Sequence, residues 1–186
     1  MVHTFAVYVD NRPGVLNRVA SLFRRRAFNI ESLTVGHTET PGLSRMTVVV
    51  DTDAYGARRL EAHLQKLVPV RRVEDITAVP SLSRDLALIK VAATGDARTQ
   101  VMQLVDVYRA RIVDVCPESL VIETTGTEDK IDSLLEVLRP YGVIEMVRTG
   151  RVSMARGGAG ARPASPQPRR WPPAAEVIGD VSECSV

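Results

Sequence analysis

One stretch of this sequence has the residue types and spacing to hold a small charged ligand. It is Asp10-Asn11-Arg12-Pro13-Gly14-Val15-Leu16, followed one helix later by Asn29-Ile30. Pro13 suits the first turn of a helix, where a missing N–H costs nothing and a fixed φ helps. Gly14 leaves the backbone bare beside it. The N–H groups of Gly14, Val15 and Leu16 then lack intrahelical partners and sit at the positive end of the helix dipole. Such a site accepts a carboxylate or a phosphate. Asn11 and Asn29 bring side-chain amides that both donate and accept hydrogen bonds. Together these groups answer both ends of an amino acid: N–H groups for the carboxylate, amide and carbonyl oxygens for the ammonium. Pro-Gly alone is ordinary helix punctuation. The flanking asparagines favour the ligand reading.

Other chemistry is hard to find. His3, His37 and His63 have no metal-ligand spacing, and there is no nucleophile elbow, P-loop or zinc pattern. Gly157, Gly158 and Gly160 fall near the C-terminus rather than between a strand and a helix. The carboxylate pairs Glu74-Asp75 and Glu128-Asp129 read as surface and as a helix start. Catalysis by this chain alone is therefore not expected, and neither is a cofactor of its own. Cys116 and Cys184 are too few and too far apart for a disulfide framework, so a reducing compartment is expected. The formal charge of +2 implies no nucleic-acid partner. No apolar run is long enough to span a membrane, and the N-terminus opens directly in strand pattern. The expectation is a cytoplasmic protein.

The elements that must position the site follow from periodicity. Residues 3–10 alternate as a strand, and 13–27 carry Val15, Leu16, Val19, Leu22 and Phe23 as one apolar stripe of a helix. Arg18 and the run Arg24-Arg25-Arg26 lie off that stripe, three of them at the C-terminal turn, where the dipole favours cations. Residues 29–38 and 43–51 are strands joined through Glu39-Thr40-Pro41-Gly42. Thr52 or Asp53 caps a helix striped by Ala57, Leu60, Leu64 and Leu67, and 69–78 is a charged edge strand. After a connector, Pro80-Ser81-Leu82-Ser83, the same order repeats. It has strands at 85–93, 111–116, 119–125 and 143–153. Its helices open at Gly95-Asp96 (Val101, Leu104 and Val105 inward) and after Thr127 (Ile131, Leu134, Leu135 and Leu138 inward), the second stopped by Gly142. This predicts an α+β protein of two ferredoxin-like βαββαβ domains in tandem, at 1–79 and 84–154. A tail over 155–186, rich in Pro, Gly, Ala and Ser, is expected to be disordered. Each domain is near the lower size limit for a stable core, so pairing between domains or chains is expected. RNA-recognition modules share the βαββαβ order, but Val48, Val49 and Val50, or Val7 and Tyr8, make no base-stacking platform.

The run NRPGVLNRVASLFRRRAFNIESLTVGHTETPGLSRMTVVV resembles the N-terminal ACT domain of the regulatory (small) subunit of acetolactate synthase. The phrases F-N-I-E-S-L-T-V at 28–35 and L-S-R-M-T at 43–47 carry the resemblance, which extends through R-x-x-I-V-D-V at 109–115 to about residue 154. It implies a non-catalytic partner of a large subunit that carries thiamine diphosphate, FAD and magnesium. It further implies activation of that subunit and feedback inhibition by valine or another branched-chain amino acid. ACT domains of this kind pair side by side into a homodimer with the effector at the seam. Carried over by motif, the effector site falls on Asn11, Gly14, Val15, Leu16, Asn29 and Ile30. The equivalent turn of the second domain, Thr94-Gly95-Asp96, places an acid after the glycine and is expected to be structural. The alternative is a free-standing amino-acid-sensing ACT protein that regulates another enzyme or transcription.

Overall fold

The computed structural model describes residues 1–157; the tail beyond that point lies outside the described residues. The first unit runs β1 (Val2–Asp10), α1 (Val15–Arg25), β2 (Ile30–His37), β3 (Leu43–Asp51), α2 (Ala54–Gln65) and β4 (Val70–Asp75). The second runs β5 (Ser81–Ala92), α3 (Gly95–Val107), β6 (Arg111–Val115), β7 (Ser119–Gly126), α4 (Glu128–Leu138) and β8 (Val143–Arg148). A short β9 (Val152–Ala155) follows. The strand orders β2-β3-β1-β4 and β6-β7-β5-β8 are the same antiparallel arrangement twice, which is the tandem ferredoxin-like α+β fold.

Each sheet buries one face under its two helices. In the first, Phe5, Val7, Met46, Val48 and Val50 meet Val19, Leu22, Phe23, Leu60 and Leu64. In the second, Ile89, Val91, Leu120 and Ile122 meet Val101, Val105, Ile131 and Leu134. Aliphatic side chains alternating along strands and striping helices produce both cores. The Asp53 carboxylate caps α2, accepting from the Gly56 N–H at 2.6 Å. The charged strand β4 lies at an edge, where charge discourages further pairing.

Four local expectations are corrected. Pro13 precedes α1 rather than opening it, because Gly14 is the N-cap, at φ 79. Leu16 is 46% exposed and lies outside the core stripe. The connector at 81–83 is not a loop: β5 begins at Ser81, and Ser81–Arg84 pair with β9. Residues 143–153, read as one strand, are β8 and β9 with a break at 149–151.

That break is where the two units are joined. Ala6, Thr47 and Val49 lie on the sheet face away from α1 and α2, yet are at most 3% exposed. Residues 150–153 lie over that face. Ser32 Oγ accepts from the Arg151 N–H at 3.0 Å, and Thr34 Oγ1 donates to the Arg151 carbonyl at 2.5 Å. The Arg45 guanidinium donates to the Ser153 carbonyl. On the other side of the same segment, Arg148 donates to Asp85 at 2.8 Å and to Asp132 at 3.1 Å, and Arg151 reaches Glu128 at 2.8 Å.

Two outcomes test this account. Gly150 sits at φ +83, and an added Cβ would stand 2.5 Å from Ser32 Oγ. Gly150→Ala is therefore expected to cost roughly 1–3 kcal/mol, from left-handed strain plus displacement of the Ser32 bond; urea unfolding measures it. At the opposite edge of the first sheet, Asp75 accepts from the Thr77 N–H at 2.9 Å and lies 3.1 Å from His3 Nδ1. Burial raises the pKa of this carboxyl, but the Thr77 hydroxyl and N–H, then His3, outweigh it and hold it below its usual 3.8. A depressed carboxylate stabilises the fold above its unfolded pKa and loses that contribution as pH falls through the folded value. Asp75→Asn should thus melt below the parent at pH 7, with the gap closing as the pH falls below the ordinary carboxylate range.

Candidate functional site

The loop after β1 is pinned on both sides before it reaches Gly14. The Asp10 carboxylate takes a fork from Arg71, at 2.6 and 3.1 Å, and the Asp10 N–H bonds the Pro69 carbonyl. The Asn11 N–H donates to the Gly42 carbonyl at 2.8 Å. Its side-chain Nδ2 lies 3.3 Å from His37 Nδ1, which ties the loop to the end of β2. Gly14 then turns the chain through the left-handed region, which a residue without Cβ enters at no steric cost.

The helix start that results is open. Among the described residues, the N–H groups of Gly14 and Leu16 have no hydrogen-bond partner, whereas that of Val15 reaches the Arg12 carbonyl at 3.4 Å. α1 has no side-chain cap and no acid in its first turn. The other three α-helices of the described residues each carry an internal anion there: Asp53 caps α2, Asp96 opens α3, and Glu128 and Asp129 open α4. The open positive end of a dipole is thus found at α1 alone among them.

The six residues expected at the site do not all meet. Asn11, Gly14 and Leu16 are exposed together in the loop and first turn. Val15 lies there too, but its side chain is 6% exposed and belongs to the helix-facing core, so only its backbone could serve a ligand. Asn29 and Ile30 lie elsewhere. β1 and β2 both run antiparallel to β3, with Asp10 paired to Leu43, His37 to Ser44 and Ile30 to Val50. The loop at Asn11 is therefore at the His37 end of β2, and Asn29 at the other, about 25 Å away for a strand of this length. Asn29 is exposed and donates to Glu31 at 2.6 Å; Ile30 packs against the core.

Some residues that matter to this region were not assigned to it from the sequence. Val35, 47% exposed, and His37 lie on β2 at the loop's end of the strand. Ser32, Thr34 and Arg45 were quoted only as family phrases, and they prove to hold the segment that joins the two units.

Residues 5–72 match the AHAS small subunit-like ACT domain, and residues 84–157 match the small subunit of acetolactate synthase. The chain belongs to the acetolactate synthase small-subunit family. It is 50% identical over 157 residues to a probable acetolactate synthase small subunit of Archaeoglobus fulgidus, covering 84% of this chain and 98% of that one. The acetolactate synthase small subunit of Mycobacterium leprae is 51% identical over 158 residues, covering 85% of this chain and 94% of its own length. The crystal structure of the small subunit from Thermotoga maritima superposes with a TM-score of 0.81 at 41% identity, over 84% of this chain and 98% of that chain. Membership of this family makes the chain a regulatory component of an enzyme complex that also contains a large subunit.

Burial separates the residues expected at the site. Val15→Ala should lower unfolding stability by roughly 2–3 kcal/mol, the loss of two buried methyl groups plus the cavity they leave. Asn29→Ala, exposed and bonded only to Glu31, should stay within about 0.5 kcal/mol of the parent. Urea titration of the two variants measures both.

Proposed function

We propose that this small subunit activates the acetolactate synthase large subunit and confers feedback inhibition by valine or another branched-chain amino acid. The effector is bound between two copies of the chain. One observation supports the shared site above others: the expected ligand residues lie at opposite ends of β2, and β2 is an edge strand. Two β2 edges paired antiparallel about a two-fold axis bring Asn29 and Ile30 of one copy to the Asn11–Leu16 loop of the other. The edge itself favours such pairing. β4 is blunted by Arg71, Arg72, Glu74 and Asp75, whereas β2 carries only Glu31 and His37 among its charged and titratable residues.

In this reading the effector carboxylate accepts from the open N–H groups of Gly14 and Leu16. Its ammonium is met by the side-chain oxygens of Asn11 and of Asn29 from the second copy. The branched side chain lies on apolar surface from Ile30 and Leu33, with Leu16 and Val35 exposed at the same end of the strand. An effector that prefers one dimer arrangement by ~1–3 kcal/mol changes partner affinity about 5–150-fold. Thiamine diphosphate, FAD and magnesium, and with them the carbon–carbon bond chemistry, belong to the large subunit, and the setting is the cytoplasm.

Two substitutions at one position separate charge from strain. At φ 79, Gly14→Asn and Gly14→Asp both incur a left-handed penalty of about 1 kcal/mol, since Asn and Asp tolerate this region best. The Cβ itself meets no atom within 4 Å. Only Asp adds a negative charge where the effector carboxylate approaches. Both variants should still activate the large subunit, while Gly14→Asp raises the valine concentration for half-inhibition at least about tenfold more than Gly14→Asn. Asn29→Ala should lose about 0.5–1.5 kcal/mol of effector affinity, or ~1.5–3 where it meets the ammonium. Valine inhibition curves with melting temperatures decide it. Inhibition of Gly14→Asp at the parental valine concentration would overturn the site.

A further inference from the structure

The helix face of the first unit carries a charge that nothing on the described chain neutralises. α1 and α2 lie side by side over the sheet, and the groove between them is rimmed by Arg18, Arg24, Arg25, Arg26, Arg59 and Lys66. Among the described residues, none of these six cations makes an ion pair. Arg25 reaches only the Ser21 carbonyl, and Arg59 only the Tyr55 ring. α1 has no acid at all, and the one carboxylate within α2, Glu61, accepts from Gln65. Partial burial, then the charges of Arg26, Lys66 and Arg59, lower the pKa of His63. The fields of the two helices therefore overlap on this groove. Helix dipoles account for the cations at the C-terminal ends of α1 and α2, but not for Arg18 near the start of α1 or Arg59 midway along α2.

The groove has an apolar floor, Leu22 and Leu67, beneath that cationic rim, and two adjoining hollows of about 350 Å³ each. A charged rim around an apolar centre is the layout of a protein interface. It is also the broad face of this unit left open. The opposite sheet face is covered by residues 150–153, and the β2 edge is assigned above to a second copy. We propose that the α1–α2 face is the surface on which an acidic patch of the large subunit docks. This inference rests on the reading of the chain as a small subunit that activates a large one. Like charges gathered this closely repel one another, and a partner's carboxylates at the rim remove that cost while steering encounter. Arginine forks suit carboxylates in bidentate pairs.

The test is activation of the large subunit by the full chain, titrated at about 50 mM and about 500 mM KCl. For the parent, the concentration giving half-activation should rise at least about tenfold at the higher salt. Arg25→Glu/Arg26→Glu, two exposed positions, should need at least about tenfold more chain at low salt and lose most of the salt dependence. Its melting temperature and the valine titration of the isolated chain should stay parental, as should activation by Arg139→Glu, an exposed control in the second unit. If the first double variant melts early, Arg18→Glu/Lys66→Glu from the other part of the rim carries the same measurement. Parental activation by both charge reversals, or a parent indifferent to salt, would overturn the proposal. So would a salt-sensitive self-association, seen without the large subunit, that Arg25→Glu/Arg26→Glu abolishes while activation persists. A parent that fails to activate at either salt overturns instead the activating function on which the proposal rests.

Discussion

The architecture depends on a few hydrogen bonds between side chains of one sheet and the backbone of a segment more than a hundred residues away. Ser32, Thr34 and Arg45 satisfy the N–H and C=O of Arg151 and the C=O of Ser153. Buried backbone groups without such partners would each cost about 1–3 kcal/mol. With them, the segment can lie flat on a sheet face whose Ala6, Thr47 and Val49 would otherwise face water. Small domains bury too little surface to be robust alone, and this segment gives the first unit a second buried face. The acids Asp85, Glu128 and Asp132 hold the neighbouring Arg148 and Arg151 from the second unit. Asp85 is the buried member of this network, so losing Arg148 would leave its carboxylate uncompensated, whereas Glu128 and Asp132 are more than half exposed.

β2 consequently serves three neighbours at once. Ile30 and Leu33 pack toward the helices, Ser32 and Thr34 grip the joining segment on the other face, and the outer edge is unpaired within the chain. Period-two alternation makes this division possible, since successive side chains point to opposite faces. A bulge between Ile30 and Ser32 shifts the register at the start of the strand. It falls beside Asn29, the residue assigned to the far half of the effector site.

Much of this was legible in the sequence because the signals were local. The stripe Val15, Val19, Leu22, Phe23 and the stripe Ala57, Leu60, Leu64 state which faces are buried, and Asp53 caps its helix as its residue type suggests. The misreadings were of conformation and of distant pairing. Pro-Gly was read with the proline inside the helix, because a proline tolerated at the first turn is equally at home one residue before it; only the φ of Gly14 separates the two. Ser81-Leu82-Ser83 looked like a connector because its strand partner, β9, lies about seventy residues on. Asn29 was grouped with Gly14 on residue chemistry and on the family motif, neither of which measures distance, and a single chain places them at opposite ends of a strand. The grip of Ser32, Thr34 and Arg45 was present in the quoted phrases, but polar residues on one face of a strand do not name their partner.

The two units show why one fold repeated need not mean one site repeated. Both place a glycine with positive φ at the turn into the first helix, Gly14 and Gly95. In the second unit Gly95 is already within α3 and Asp96 follows it, so the positive end of the dipole faces a carboxylate supplied by the chain itself. An incoming carboxylate would have to displace or approach that charge. In the first unit the equivalent position is Val15, whose side chain turns into the core, and no anion of the chain occupies the first turn. The difference is one residue after a glycine. It leaves the first helix start without a negative charge of its own, where Leu16 and Asn11 flank the open donors, and it places one at the second. Duplicated topology thus supplies the second unit as a partner to be clamped, while a first helix that starts without an acid of its own belongs to the first unit.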